Sequence, residues 1–371
     1  MLFFNLNRIF ILRGFLIMQF NKTFIAVTLT SMFSFNAYAI NQTDVGDNAV
    51  ATGDNSTAVG VVSKATGTRS TAVGVNAEAS GSVNSTAIGA DSLANNSDTT
   101  ANGYYARATG INATATGSQS LASGESSTAT GMAAVASGSQ STATGVTSSA
   151  TGNFSTANGL AANSQGEFST AIGHTAWAEK DRATVLGAQA WANGVQSTAV
   201  GESSWASSDY STALGQSAYA TATNATAVGQ NSQATASNSV ALGSNSIANR
   251  ANTVSVGSVG AERQITNVSA GTLGTDAVNV NQLESTERKL SAGIAAAMAL
   301  TPAQIAPGKT TAIALGSGFY NGSSALALSM SHIIKESIMI NGGVSYSFNS
   351  ANTSLGSNSD LGARTSISYS F

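Results

Sequence analysis

Sixteen glycines recur at nearly constant spacing between residues 46 and 257, and this repeat constrains the fold more than any other feature of the chain. They are 14 residues apart, with a single step of 15, and are Gly46, Gly60, Gly74, Gly89, Gly103, Gly117, Gly131, Gly145, Gly159, Gly173, Gly187, Gly201, Gly215, Gly229, Gly243 and Gly257. A fixed period of this length is typical of a solenoid, in which one supersecondary unit stacks on its own copies. The sequence therefore predicts a stack of coils rather than a globular core.

Within each unit, the alternation of side chains predicts two short strands. Counted from the repeat glycine, the third and fifth positions are small, as in Ser63 and Ala65, whereas the fourth accepts either charge, as in Lys64 and Glu78. Alternation with period two is the pattern of a strand with one buried and one solvated face. The pentapeptide that ends at the next glycine predicts a second strand, with Ala58 on one side and its two neighbours on the other. At roughly 4.8 Å per rung, fifteen such coils form a rod on the order of 70 Å long.

The composition excludes several classes of protein. Only 9% of residues are charged, there is no cysteine, and the only histidines are His174 and His332. We therefore expect no disulfide, no metal or other cofactor, and no catalytic site. The net charge of −3 argues against nucleic acid as a partner, because surfaces that bind phosphate backbones are basic.

The N-terminus has the pattern of an export signal. Lys22 precedes an apolar run over residues 24–35, and Ala37-Tyr38-Ala39 places small residues where signal peptidases cleave. We expect a leader over residues 1–39 with cleavage after Ala39. Met18 remains an alternative start, because the residues before it are also apolar.

The C-terminal region alternates between apolar and small residues. Ile313 and Leu315 belong to the apolar face of its first segment, and Tyr369 and Phe371 to that of its last. Four such segments predict transmembrane β-strands, with a soluble hairpin sheet as the alternative. Four strands cannot close a barrel, and lipid does not tolerate an open sheet edge, so three chains are expected to supply twelve strands.

A helix is expected between the repeats and these strands, over residues 284–303. Leu283, Leu290, Ile294 and Ala297 lie at roughly heptad spacing, which favours a coiled coil. The small residues at its end suit close packing inside a narrow pore. Because the helix is short, the repeats should lie close to the membrane.

Five middle coils carry a polar ladder at the position before the repeat glycine. Elsewhere this position holds Val, Ile or Leu, but here it holds Asn102, Thr116, Thr130, Thr144 and Asn158. Thr can replace Val isosterically and bond its hydroxyl along the stack. Alternatively, several subunits form rings of Thr and Asn that hold water or an anion on their common axis.

An aromatic ladder occupies the fourth, water-facing position of four adjacent coils. It contains all three tryptophans of the chain and consists of Trp177, Trp191, Trp205 and Tyr219. An exposed aromatic stripe of this size is typical of a contact surface, which makes the aromatic ladder the candidate adhesion site. The alternative is that it packs against a neighbouring subunit.

After Gly257 the repeat stops, and the sequence resembles a known family. Segment 263–283, RQITNVSAGTLGTDAVNVNQL, is similar to the neck of the trimeric autotransporter adhesins, the YadA-like family. Asn238-Ser-Val-Ala-Leu-Gly243 resembles the family's head repeat, and the C-terminal strands resemble its membrane anchor. The resemblance implies a left-handed parallel β-roll head, a homotrimer, and an anchor that supports export of the head. It also implies that Tyr369 and Phe371 form the signal read by the barrel-insertion machinery.

Together these patterns predict an all-β fold with one short helix. The expected order is a leader at 1–39, a β-roll head at 40–260, a neck at 261–283, a coiled-coil helix at 284–303 and a barrel anchor at 304–371. The expected function is that of an outer-membrane adhesin, with its head on the cell surface, that attaches to host matrix, cells, other bacteria or surfaces. Two alternatives remain open: a protective coat, and an ice-binding solenoid, since regular pairs such as Thr114 and Thr116 can order water.

Overall fold

The computed structural model describes residues 9–12, 15–18, 42–335, 337–349 and 360–370. The chain divides into two compact units, residues 1–263 and 264–371, each described here by itself. Near its start, Ile9–Leu12 and Phe15–Met18 pair as a short antiparallel hairpin. The expected cleavage position Ala39 and the terminal Phe371 lie outside the described residues.

Each coil of the first unit contributes to two parallel sheets, which confirms the predicted solenoid. Sheet 1 has 15 strands and sheet 2 has 16, both in strict chain order. The strands of sheet 1 are two residues long: Val50–Ala51, Lys64–Ala65, Glu78–Ala79, Leu93–Ala94, Arg107–Ala108, Leu121–Ala122, Val135–Ala136, Ser149–Ala150, Asn163–Ser164, Trp177–Ala178, Trp191–Ala192, Trp205–Ala206, Tyr219–Ala220, Gln233–Ala234 and Ile247–Ala248. Those of sheet 2 are three residues long except the last: Thr43–Val45, Thr57–Val59, Thr71–Val73, Thr86–Ile88, Thr100–Asn102, Thr114–Thr116, Thr128–Thr130, Thr142–Thr144, Thr156–Asn158, Thr170–Ile172, Thr184–Leu186, Thr198–Val200, Thr212–Leu214, Thr226–Val228, Val240–Leu242 and Val254–Ser255.

The single 15-residue step does not interrupt the stack. Its extra residue lies in segment 80–84, where Val83 forms an isolated parallel bridge with Thr68. The strands on both sides keep their register, with Ala79 opposite Ala94 in sheet 1. The insertion is therefore confined to one turn.

Alanine and serine fill the space between the two sheets. Ala58 and Ala65 are fully buried, and Val185 is the largest fully buried side chain among the described residues. Serines in this interior bond the repeat glycine, as Ser63 Oγ does by donating to Gly60 O at 2.9 Å. The two sheets are thus too close for larger side chains, which confirms the predicted restriction at the third and fifth positions.

Both turns of every described coil contain a residue in the left-handed conformation. The second and ninth positions after the repeat glycine have φ between 51° and 60°, except that in the 15-residue coil the tenth position, Asn84, replaces the ninth. Asn tolerates this conformation best among residues with a side chain, and Asn48 and Asn55 provide it in the first coil. Val62 and Phe154 adopt it at a steric cost.

The glycines are required by the close approach of successive coils. A Cβ on Gly131, whose φ is +131°, would lie 2.4 Å from the carbonyl oxygen of Gly145 in the next coil. Seven residues after a repeat glycine, a second glycine such as Gly124 would place a Cβ 1.9 Å from Gly138 O. Two close backbone contacts between neighbouring coils therefore recur with the same 14-residue period.

Arg263 closes the C-terminal end of the solenoid. Its guanidinium donates to Ser246 Oγ at 2.9 Å, to Val256 O at 2.7 Å and to Ser244 O. A final coil has no further rung to donate hydrogen bonds to its carbonyl oxygens, and a planar fork of donors can satisfy several carbonyls at once. The first residue of the neck-like segment thus also caps the repeat.

A capping box opens the helix of the second unit. Asn279 Oδ1 accepts the N–H of Gln282 at 3.1 Å, and Gln282 Oε1 accepts the N–H of Asn279 at 3.3 Å. Gln282 also exchanges two hydrogen bonds of 2.9 Å with the backbone of Gly271. The helix is Val280–Ala299 and begins before the expected residue 284 because this cap forms at Asn279. Among the described residues, no helix is long and apolar enough to cross a membrane.

Asp276 fixes the turn that precedes this helix. Its Oδ2 accepts the N–H groups of Leu273 at 2.9 Å and Thr272 at 2.8 Å. These two hydrogen bonds, the one from Leu273 first, stabilise the carboxylate and hold the pKa of Asp276 below its ordinary value.

Four antiparallel strands complete the second unit and pair in chain order. They are Thr311–Tyr320, Ser323–Lys335, Ile338–Asn349 and Asp360–Tyr369. Leu315 and Leu328 are exposed on one face, while Ala325 and Ser347 are buried on the other. This confirms the predicted alternation of apolar and small side chains.

The helix lies against the small-residue face of this sheet. A Cβ on Gly318 would lie 2.1 Å from Ala295 O, so the helix backbone contacts the strand directly. Arg364 lies on this same small-residue face and donates to Leu300 O at 3.1 Å. The alternating pattern of the sequence does not reveal this contact.

Candidate binding surface

The aromatic ladder stands on the outward face of sheet 1, at four successive rungs in register. The ring centroids of Trp177 and Trp191 are 5.1 Å apart at 20°, and those of Trp191 and Trp205 are 5.5 Å apart at 16°. Tyr219 ends the ladder with its ring 5.0 Å from Trp205 and tilted by 69°. The tryptophans are therefore stacked on one another.

Stacking determines what the aromatic ladder can offer to a ligand. The faces of Trp191 are covered by its two neighbours, and only the ring edges remain outward. Trp177 is 36% exposed and the other members are half-buried, so the fully water-facing stripe expected from the sequence is only partly realised. The Nε1 atoms of Trp191 and Trp205 are buried without an acceptor among the described residues.

A polar strip runs beside the aromatic ladder. Asn193 Nδ2 donates to Glu179 Oε2 at 3.2 Å, and Lys180 forms an ion pair with Glu179 at 2.9 Å. The hydrogen bond and charge of Glu179 raise the pKa of Lys180 above its ordinary value. Lys180 is exposed and Glu179 is half-buried.

A second aromatic pair lies in the other turn of the coils. Phe154 and Phe168 stack with centroids 4.8 Å apart at 4°, and the Arg182 guanidinium lies 5.8 Å from the Phe168 centroid. All three side chains start from left-handed backbone positions. A list of the residue types at this position does not reveal the backbone conformation, so the pair is not apparent from the sequence.

Sheet 2 presents a different surface. Leu186, Leu214 and Leu242 are 50%, 45% and 47% exposed there. The polar ladder, Asn102, Thr116, Thr130, Thr144 and Asn158, occupies the same outward position in the middle coils. None of the side-chain hydrogen bonds found in the described residues joins its threonine hydroxyls to one another. The expected bonding along the stack is therefore absent from the single chain.

Comparison with known families decides what kind of protein carries these surfaces. The YadA-like membrane anchor domain matches residues 303–371, and the coiled stalk of trimeric autotransporter adhesin matches residues 264–304. The YadA head domain repeat matches residues 45–62, 65–92, 82–106, 108–134, 136–162, 164–190, 192–218, 220–246 and 237–258. The chain belongs to the YadA-like trimeric autotransporter adhesins. The resemblance seen in the sequence is thereby confirmed, and the homotrimer is the form of the family.

The chain is also similar to a solved structure. That structure is the collagen-binding domain of the Yersinia adhesin YadA, 22% identical, with 67% of this chain and 98% of that chain covered at a TM-score of 0.16. A search of curated proteins gives no match. The family assignment therefore rests on the head, stalk and anchor matches.

Proposed function

We propose that this chain is a surface adhesin whose trimeric head attaches the cell to host matrix, to other cells or to solid surfaces, and that it has no catalytic role. The observation that carries the proposal is the continuity of a head-repeat domain with a membrane anchor in one chain. Three identical heads on one anchor multiply weak contacts, because a second contact of the same trimer forms at high effective concentration.

Sheet 2 is the face that the subunits bury against one another. Its exposed Leu186, Leu214 and Leu242 form an apolar stripe along the coils, and a stripe of this kind is covered in an assembled head. The polar ladder lies on the same face and is covered with it, where it holds water or an anion between the subunits. Sheet 1, with the aromatic ladder, remains open to ligands.

The anchor lies in the outer membrane, where three chains supply twelve strands and Leu315 and Leu328 face lipid. Tyr369 extends this outward face towards the C-terminus. Together with Phe371 it forms the signal for the barrel-insertion machinery, and the assembled anchor supports export of the head. Normal surface display of a chain that lacks Phe371 would count against this role.

Attachment of cells that display the full chain tests the adhesive function. The probes are immobilised collagen, other matrix proteins, cultured cells and uncoated plastic. We expect attachment that is lost when residues 46–257 are removed from a chain whose anchor is still displayed. Equal attachment without the head would refute the proposal.

The contribution of the aromatic ladder is best tested at its end. Trp191→Ser removes two ring contacts worth about 0.5–1.5 kcal/mol each and so lowers stability wherever the ladder lies. Trp177→Ser removes one, and Trp177→Phe retains a ring as the matched control. Lost attachment with an intact SDS-resistant trimer supports a binding surface, whereas a large drop in melting temperature supports a subunit interface.

The pairs Thr114 and Thr116, Thr128 and Thr130, and Thr142 and Thr144 lie in register and favour ice binding as a second candidate. Burial of sheet 2 in the trimer opposes it, because ice would need that face. Thermal hysteresis of the purified trimer would support ice binding. Neither hysteresis nor attachment, despite normal display, would leave a protective coat as the function.

A further inference from the structure

We propose that the groove at the C-terminal end of the aromatic ladder, between Tyr219 and Ile247 on sheet 1, binds an uncharged carbohydrate. This inference rests on the proposed adhesive function and identifies the class of ligand. The groove has a volume of about 560 Å³ and is lined by side chains of Ser217, Tyr219, Asn231, Gln233, Asn245 and Ile247. Its size lies within the usual range of small-ligand sites.

The aromatic wall of the groove exists because the ladder ends there. The rings of Trp191 and Trp205 have ring neighbours on both sides, but the residue after Tyr219 in register is Gln233 and not another aromatic. One side of the Tyr219 ring is therefore free of ring contacts. The electron-rich face of an aromatic ring attracts the polarised C–H groups of a sugar ring, which carry partial positive charge.

The polar walls of the groove are neutral and have hydrogen-bonding groups to spare. Asn231 and Gln233 are exposed carboxamides, and neither side chain makes a hydrogen bond within the described part of the chain. By contrast, side chains of the neighbouring row are hydrogen-bonded to one another. Gln230 Nε2 donates to Gln216 Oε1 at 3.1 Å. Each carboxamide offers two donors and an acceptor, a combination that matches pairs of sugar hydroxyls.

The absence of charge and of a free strand edge selects the ligand class. No lining residue is charged, so a phosphate, a sulfate or an acidic sugar would lose its hydration without an ionic partner. The strand Gln233–Ala234 is paired on both sides, to Tyr219–Ala220 and Ile247–Ala248. An extended peptide therefore cannot add as a strand, and the single Ile247 is too little apolar surface for an amphipathic helix.

The groove covers three rungs, from Tyr219 through Gln233 to Ile247. At roughly 4.8 Å per rung this is about 10 Å, room for a short oligosaccharide lying along the stack. One groove per subunit gives three weak sites on a trimer, a number that allows avid binding to a glycan-coated surface.

Binding of the detergent-purified full-length trimer to an array of uncharged, sialylated and sulfated oligosaccharides, with collagen peptides as further probes, tests the proposal. We expect binding to uncharged oligosaccharides that weakens about tenfold in Gln233→Ala, which is the loss of one to two hydrogen bonds. Gln119→Ala, which removes an exposed carboxamide from a turn of a coil without the ladder, is the control for loss of a surface carboxamide.

A second variant distinguishes loss of oligosaccharide binding from loss of folding. Gln233→Trp extends the aromatic ladder by one ring, so we expect an unchanged or higher melting temperature together with loss of oligosaccharide binding. Leu121→Trp adds a ring at the same coil position elsewhere in sheet 1 and should leave binding unchanged.

Three results would overturn the inference: no binding to uncharged oligosaccharides, binding to charged sugars or peptides alone, or binding that survives Gln233→Trp. Cell attachment is measured on the same variants. If cells still attach but the trimer binds no oligosaccharide on the array, the carbohydrate proposal is refuted and the proposed adhesive function is retained. If cells that display the intact head do not attach, the proposed adhesive function is refuted, whatever the array shows.

Discussion

Substitution of a repeat glycine by alanine measures how much of the head's stability depends on the close approach of its coils. The substitution Gly131→Ala lowers the stability of the head in two ways. The backbone at φ +131° lies in a region that residues with a Cβ rarely adopt, and the new Cβ would lie 2.4 Å from Gly145 O and 2.7 Å from its carbonyl carbon. The next coil would have to shift away.

The two costs can be estimated from their separate causes. Holding a residue with a side chain in such a backbone conformation costs about 1–3 kcal/mol. Forcing an additional carbon into a packed contact costs about 1–3 kcal/mol more. We therefore expect Gly131→Ala to destabilise the head by about 2–6 kcal/mol, with the loss concentrated in the adjacent coils because each coil contacts only its neighbours.

Two matched variants separate these causes. Gly124→Ala has the clash, with a Cβ 1.9 Å from Gly138 O, but not the positive φ, while Gly260→Ala has a φ of +79° and nothing within 4 Å. Six coils already carry another residue at the position of Gly124, for example Ala222. The solenoid can therefore relieve that contact, and Gly124→Ala should cost less than Gly131→Ala.

The measurement is the guanidinium midpoint of the β-sheet circular dichroism of the full-length trimer, at one protein concentration for all variants. The expected order of destabilisation is Gly131→Ala first, with Gly124→Ala and Gly260→Ala each smaller. If Gly131→Ala costs no more than either control, then strain and close approach do not combine at the repeat glycine and the reasoning is wrong.

Three further predictions follow from individual contacts. Val62→Asn should raise the stability of the head by about 1 kcal/mol, because Asn tolerates the left-handed conformation that strains a β-branched residue, and the same circular dichroism assay measures it. The lowered pKa of Asp276 means that its contribution to stability is complete above its ordinary pKa of about 4 and is lost as the pH falls through its lower folded value. The protection factors of the neck amides, which correct for the intrinsic pH dependence of exchange, should therefore fall at acid pH in the natural chain and change less in Asp276→Asn. Gly318→Ala should reduce the SDS-resistant trimer in membrane fractions, because a Cβ there would lie 2.1 Å from Ala295 O, whereas Ser317→Ala on the opposite face should not.

The solenoid could be predicted because its cause is periodic. Buried alanines such as Ala58 recur along the stack, with Val185 as a larger residue at the same position, and a position that lies between two sheets reveals itself by being small in nearly every coil. The anchor strands were predictable for a related reason, since their side chains alternate between exposed apolar and buried small residues. In both cases one physical constraint acts many times on the same kind of position.

The left-handed turns escaped sequence reasoning because their constraint acts on the backbone. Asn48 satisfies it without strain, but Val62 and Phe154 also occupy such positions, so the residue types look merely variable. The Arg263 cap was hidden for a different reason. It occurs once, at the end of the stack, and one arginine beyond a repeat does not reveal which carbonyls it will bond.

The position of the aromatic ladder could be predicted from the sequence, but the packing of its rings could not. The sequence places Trp177, Trp191 and Trp205 at one outward position, but it does not indicate that their rings stack at 5.1 and 5.5 Å and cover one another's faces. Because of that stacking, a change in the middle of the ladder acts mainly on stability, while free aromatic surface lies at its two ends, at Trp177 and where Tyr219 meets Gln233. Recognition is therefore expected where the repeat changes its side chains, rather than along its most regular part.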